Sequence, residues 1–124
     1  MAKTLSDAVL DGSLAVIDDC TLMTACNAQP TTYAEASATF KLADVVMTAG
    51  TDYTISNGDT SGRKVRVATK LAVPIDTTGT ATFIALCVSG SSTLHVVTTC
   101  TSQALTAGGT VDFPVWDIEL ADPT

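Results

Sequence analysis

The sequence predicts a mainly β protein: a single β-sandwich, jelly-roll or immunoglobulin-like, with a short N-terminal helix or arm. Its 124 residues fit one domain. Hydrophobic residues make up 46% of the chain and charged residues 15%, which is too apolar for disorder. Strand-like segments recur at intervals of about 8–15 residues and are separated by turns that contain Gly or Pro. This spacing is typical of β-sandwiches and small barrels. We divide the chain into a helix or arm, residues 1–19, and a sandwich, residues 20–124.

An apolar stripe at helical spacing runs through the first 19 residues. Leu10, Leu14 and Ile17 recur at i, i+4 and i+7, the period of one helix face. Thr4 can serve as the N-cap of this helix, and Gly12 lowers the helix propensity in its middle. The stripe could pack on the protein's own sheet or could be an arm that docks on a partner, so these three residues are candidate partner-docking residues.

Two segments give the clearest strand signals. Residues 81–88 are apolar on both faces, and they are followed by a Ser-Gly-Ser-Ser turn and a second strand at residues 94–101. The pair is predicted to be a hairpin, and its first strand is predicted to be covered on both sides. Residues 111–120 read as one last strand whose inward face changes near Pro114, as a β-bulge would allow.

The charge pattern excludes some partners and suggests others. Six Lys or Arg against 13 Asp or Glu give a formal net charge of −7. Such a chain lacks the basic surface that nucleic acid requires, and no segment approaches the ~20 apolar residues of a membrane helix. Four of the six cations lie close together, either as protection of an edge strand or as a docking face for an acidic neighbour. These four candidate partner-docking residues are Arg63, Lys64, Arg66 and Lys70.

Residues that could support catalysis or metal binding form no recognisable site in the sequence. His95 is the only histidine and alternates with apolar neighbours on a strand, without a nucleophile signature nearby. Ser61 and Lys64 match S-x-x-K, but the companion motifs of that enzyme class are missing. No calcium-loop pattern and no phosphate-binding Gly-rich loop occurs. We therefore predict no enzyme activity, no cofactor and no metal.

The four cysteines, Cys20, Cys26, Cys87 and Cys100, are predicted to be free, buried thiols. None of them shows C-x-x-C spacing. The N-terminus has no charged segment leading into an apolar one, so synthesis in a cytoplasm is expected, where thiols stay reduced.

Several segments carry a resemblance that extends over nearly the whole chain. They are the opening Met1-Ala2-Lys3-Thr4-Leu5-Ser6-Asp7 with residues 9–11, then residues 29–36, 57–64, 76–82 and 97–105, and the closing residues 114–123. In these segments the sequence resembles a family of small virion proteins of tailed bacteriophages. Residues 12–16 depart from the Tyr-Ile-Lys stretch that typical relatives carry in the helix.

This resemblance implies a capsid decoration, or cement, protein. Such proteins bind the outside of the shell as dimers or trimers and hold neighbouring major capsid subunits together. The expected partners are thus the major capsid protein and further copies of this chain, and the expected location is the virion exterior. The alternatives are a tail-tube, connector or fibre-associated virion protein, a carbohydrate- or receptor-binding module and, last, a hydrolase.

Overall fold

The structure, a computed structural model, describes residues 6–59 and 61–120. Within these residues the chain forms one α-helix and nine β-strands, all paired antiparallel. They are α1 Asp7–Asp18, β1 Leu22–Cys26, β2 Lys41–Val46, β3 Tyr53–Asn57, β4 Arg63–Val67, β5 Lys70–Pro74, β6 Gly79–Val88, β7 Thr93–Leu105, β8 Thr110–Phe113 and β9 Trp116–Leu120. The predicted mainly β, sandwich-like fold with a short N-terminal helix is confirmed.

The strands form three sheets. The four-stranded sheet has the order β2-β1-β6-β7, the three-stranded sheet the order β3-β4-β9, and β5 pairs with β8 alone. One apolar core contains side chains from all three sheets, for example Met23 and Leu86 of the first, Val65 of the second and Phe113 of the third. The sheets therefore bury their inner faces against one another, as layers of a sandwich do.

The outer face of the four-stranded sheet is also partly covered. A single π-helical turn, Glu35–Thr39, places Ala36 against Ala85 and Cys87 of β6. Leu86 of the same strand points to the opposite face and packs in the main core, so β6 is covered on both sides. This confirms the prediction for residues 81–88, and it explains why the segment lacks the polar alternation of a half-exposed strand.

The predicted hairpin is present, but β7 is longer and more irregular than expected. It extends from Thr93 to Leu105 and contains extra residues relative to β6 at two places. One extra residue, His95, lies between the positions paired with Cys87 and Leu86. Farther along, three residues of β7 (100–102) lie opposite Thr82 alone. Extra residues of this kind bend a strand and redirect its side chains.

The single last strand that the sequence predicted is two strands. β8 ends at Phe113 and pairs with β5, whereas β9 begins at Trp116 and pairs with β4. The inward face does change near Pro114, but the cause is different from a bulge. The chain leaves one sheet and enters another, and Pro114 lies between them, where no ladder hydrogen bond is needed from its nitrogen.

Helix α1 begins at Asp7, and Ser6 is its N-cap. Thr4, the predicted N-cap, lies outside the described residues, and the side chain of Ser6 accepts a hydrogen bond from the Val9 N–H at 3.4 Å. Asp7 in the first turn is favourable there because of the helix dipole. Among the described residues no helix is long and apolar enough to cross a membrane.

Candidate protein-docking surface

The predicted docking residues of the helix face inward. Leu10 and Leu14 are 3% and 0% exposed, and Ile17 is half-buried against the same core. The helix packs on the three-stranded sheet, mainly on β4 and β3. Of the two readings of the apolar stripe, the structure shows packing on the protein's own sheet. In this conformation the three side chains contribute to the fold and present no docking surface.

The basic side chains lie on a central strand, so the prediction of a protected edge strand is wrong. β4 pairs with β3 on one side and with β9 on the other. Arg63 donates to both carboxylate oxygens of Asp11, at 2.8 and 3.3 Å, and so ties the helix to the sheet. Arg66 likewise donates to both carboxylate oxygens of Asp117 on β9, at 2.9 and 3.2 Å. Such bidentate pairs fix geometry as well as charge.

The two lysines of this group also bind carboxylates of their own chain. Lys64 is 9% exposed, and its ammonium contacts Asp59 at 2.7 Å and Asp117 at 3.4 Å. Lys70 lies 3.0 Å from Asp52. The four predicted docking cations are therefore already paired, and only Arg66, whose side chain is 53% exposed, keeps a large open face.

These contacts shift the acid strengths of the carboxyl groups. Hydrogen bonds from Arg66 and then Lys64 lower the pKa of Asp117. Partial burial opposes ionisation of Asp52, but the Thr48 N–H and Lys70 outweigh it and lower its pKa as well. A lowered pKa in the folded state means that both groups stabilise the fold at neutral pH, and that this contribution disappears as the pH falls through the lowered values.

The residues considered for catalysis or metal binding remain apart. His95 is exposed on β7, and the Lys64 ammonium is held by two carboxylates. Among residues 6–59 and 61–120 no three His, Cys, Asp or Glu side chains converge to form a metal site.

A different surface, which the sequence did not point to, lies along β7. This strand is the last of its sheet, and the described residues provide no ladder for its second edge. Its 13 residues include no Asp, Glu, Lys, Arg, Pro or Gly. Proteins usually protect an edge strand with charges or proline. The edges β2, β5, β8 and β9 carry such residues, for example Asp44, Pro74 and Glu119, whereas β3 and β7 carry none. Helix α1 contacts both of these strands, but its main contacts are with β4 and β3, and β7 is the longer of the two edges.

Two adjoining cavities open beside this edge, with volumes of about 190 and 310 Å³. Both are lined by Ile84, Cys100 and Pro114. β7 residues form one wall and residues 111–117 the other, and we call this the β7 groove. Two of the three extra residues at 100–102 of β7 line the groove, at the place where such extra residues bend a strand.

One residue of the groove wall, Trp116, carries an unsatisfied polar group. The indole nitrogen of Trp116 is buried and has no hydrogen-bond acceptor among the described residues. A buried tryptophan N–H usually finds an acceptor. At the rim, the exposed carboxylate of Asp112 accepts a hydrogen bond from the Ala72 N–H at 2.8 Å and has no cation near it in the described part of the chain.

Comparison with protein-family models, with curated proteins and with solved structures finds no match.

All four cysteines are free thiols, and one of them gives chemical access to the groove. Cys20, Cys26 and Cys87 are 0% exposed, while Cys100 is partly exposed in the groove wall. Burial raises the pKa of Cys20 to about 12 and that of Cys87 to about 11, and it raises the pKa of Cys26 and Cys100 as well. The cysteine prediction is confirmed for three residues, and the fourth is only half-buried.

We expect N-ethylmaleimide to modify the folded protein once per chain, at Cys100, and more slowly than it modifies a free cysteine. Access limits the other three thiols, and the raised pKa of Cys100 lowers its thiolate fraction. Mass spectrometry of the intact and digested protein gives the number and position of adducts. Unfolding in guanidinium should allow four adducts, as a control. Rapid native labelling of Cys20, Cys26 or Cys87 would contradict this arrangement of the core.

Proposed function

We propose that this protein is a structural component of a tailed-bacteriophage particle. In this proposal it binds the outside of the capsid and joins neighbouring major capsid subunits, as a decoration protein and as a dimer or trimer. It acts through contacts between proteins, without catalysis and without a cofactor. The protein is made in the host cytoplasm and then remains on the capsid exterior.

The observation that carries the proposal is the open edge of β7 beside the β7 groove. An unprotected edge offers backbone donors and acceptors to another chain, and an adjacent apolar groove gives that contact affinity and specificity. A protein whose task is to join subunits of a shell needs such a surface. A freely monomeric protein would risk aggregation by keeping one.

Two further features support a position on the capsid exterior. The net charge of −7 would oppose contact with packaged DNA and suits a surface that faces solvent. In addition, the segments that resemble tailed-phage virion proteins extend over nearly the whole chain. We infer the kind of particle, a tailed phage, from that resemblance. We infer the mode of action, binding to another protein, from the edge of β7 and the β7 groove.

The number of copies in purified particles tests this proposal. We expect quantitative mass spectrometry of phage particles that encode this chain to find it in a fixed, lattice-related ratio to the major capsid protein. Particles without it should release DNA at a lower temperature, and adding purified protein should restore their stability. A few copies confined to the tail would contradict a capsid role and favour the tail or connector alternative.

A further inference from the structure

We propose that the β7 groove binds an extended segment of a different protein, which adds to β7 as a further strand. The segment inserts one apolar side chain between Ile84, Cys100 and Pro114, and it places a lysine or arginine near Asp112. This inference rests on the proposed function only for the identity of the partner, which would be a capsid subunit.

The backbone of β7 determines the kind of ligand. A free strand edge presents N–H and C=O groups at the regular spacing of an extended polypeptide, and no other common ligand matches that spacing. The β7 sequence contains no proline and no charge that would prevent an incoming strand from pairing. Between its two interruptions, residues 96–99 of β7 keep a regular register with β6, and this is the stretch along which a partner strand can pair.

The groove determines which side chain the segment contributes. Each cavity is several times the volume of about 30 Å³ that a water molecule occupies in the liquid, and the shared lining is mainly aliphatic. An apolar side chain there would contact Ile84 from the four-stranded sheet and Pro114 from the opposite wall. Trp116 belongs to the same lining, so its ring environment should change when a side chain enters the groove.

Charge decides between a different protein and a second copy of this chain. Asp112 lines the groove without a cation near it in the described residues, so the occupant should carry one. A second copy would present its own β7, which contains no lysine or arginine. The occupant that fits is thus a segment of another protein that carries a lysine or arginine.

The test uses a short synthetic peptide as the probe, acetyl-Lys-Thr-Val-Thr-Leu-Thr-Lys-amide. Trp116 is the only tryptophan in the sequence, so its indole N–H gives one assignable resonance in a ¹⁵N spectrum. We expect titration with the peptide to shift this resonance and to give a saturable affinity. The same peptide with alternate backbone nitrogens methylated cannot pair as a strand and should bind at least about tenfold more weakly.

Variants with matched controls locate the binding. Cys100→Phe fills the groove and should weaken peptide binding at least about tenfold, whereas Cys100→Ser leaves the groove open and should bind as the parent does. Because Cys100→Phe could disturb folding, N-ethylmaleimide modification of the folded parent protein provides a second way to block the groove. Asp112→Asn keeps the oxygen that accepts from Ala72, and it should reduce both the affinity for the lysine peptide and its salt dependence.

Three results would overturn the inference. The first is an indole resonance that a saturating peptide concentration leaves unchanged. The second is equal binding by Cys100→Phe and Cys100→Ser. The third is an indole shift that depends on protein concentration alone and disappears when the groove is blocked, because the occupant would then be a second copy.

Particles separate this inference from the proposed function. If the groove-blocked protein decorates capsids as well as the parent does, the inference fails for the capsid contact and the function stands. If the parent protein binds the peptide through the groove but never associates with capsids, the function fails and the docking site stands.

Discussion

Replacing Leu14 by alanine is expected to lower the free energy of unfolding by about 2–5 kcal/mol, the usual cost of truncating a buried leucine. Leu14 is 0% exposed and belongs to the core that all three sheets share. The loss combines the lost burial of the side chain with the cavity that remains. Urea titration followed by tryptophan fluorescence or circular dichroism measures it.

Val16→Ala is the matched control for Leu14→Ala. Val16 lies on the same helix but is 46% exposed, so its truncation should change the free energy of unfolding by no more than about 0.5 kcal/mol. Similar small effects for both variants would mean that α1 behaves as a detachable arm. Deletion of residues 1–19 should accordingly unfold the protein, because it removes Leu10 and Leu14 from the core and leaves Arg63 without Asp11.

Gly58→Ala is expected to destabilise the protein by about 1–3 kcal/mol, the usual cost of overpacking. A Cβ at this position would collide with the backbone oxygen of Ser61 and with the Glu119 carboxylate. The backbone at Ser61 cannot move freely, since the Gly58 N–H donates to the Gly62 carbonyl across the same turn at 3.0 Å. The change in the midpoint of urea unfolding measures the effect.

Gly12→Ala tests the same chemical change where there is space. Nothing lies within 4 Å of a Cβ at Gly12, which is in the middle of α1. Alanine there should stabilise the protein by about 0.5–1 kcal/mol, because it reduces the entropy of the unfolded chain and favours the helix. Opposite signs for the two variants are expected, and a neutral Gly58→Ala would show that the turn can rearrange.

Local patterns in the sequence were sufficient for most elements of the fold. The i, i+4, i+7 stripe predicted α1, and the two-faced apolar run followed by a turn predicted the β6–β7 hairpin. The sequence showed that the inward face changes near Pro114, but it did not show the structural cause of that change. A bulge within one strand and a crossing from one sheet to another produce the same local alternation, and only the pairing partners of β8 and β9 distinguish them.

The candidate site depended far more on long-range contacts. The basic residues stood out in the sequence because of their sign, yet their carboxylate partners Asp11 and Asp117 are more than 50 residues away from them along the chain. The β7 groove gave no local signal. The sequence shows that β7 carries no charged residue. This absence indicates an unprotected edge only once the strand order places β7 at the end of its sheet.

The sequence by itself therefore determined the mainly β class, the N-terminal helix, the central hairpin and the acidic charge of this protein. Each of these follows from composition or from periodicity over a few neighbouring residues. The tertiary structure alone decided that α1 belongs to the core, that β4 is central and that β7 is an open edge beside a groove. Those outcomes depend on which strands pair across the chain, and side-chain alternation reports the faces of a strand without reporting its neighbours.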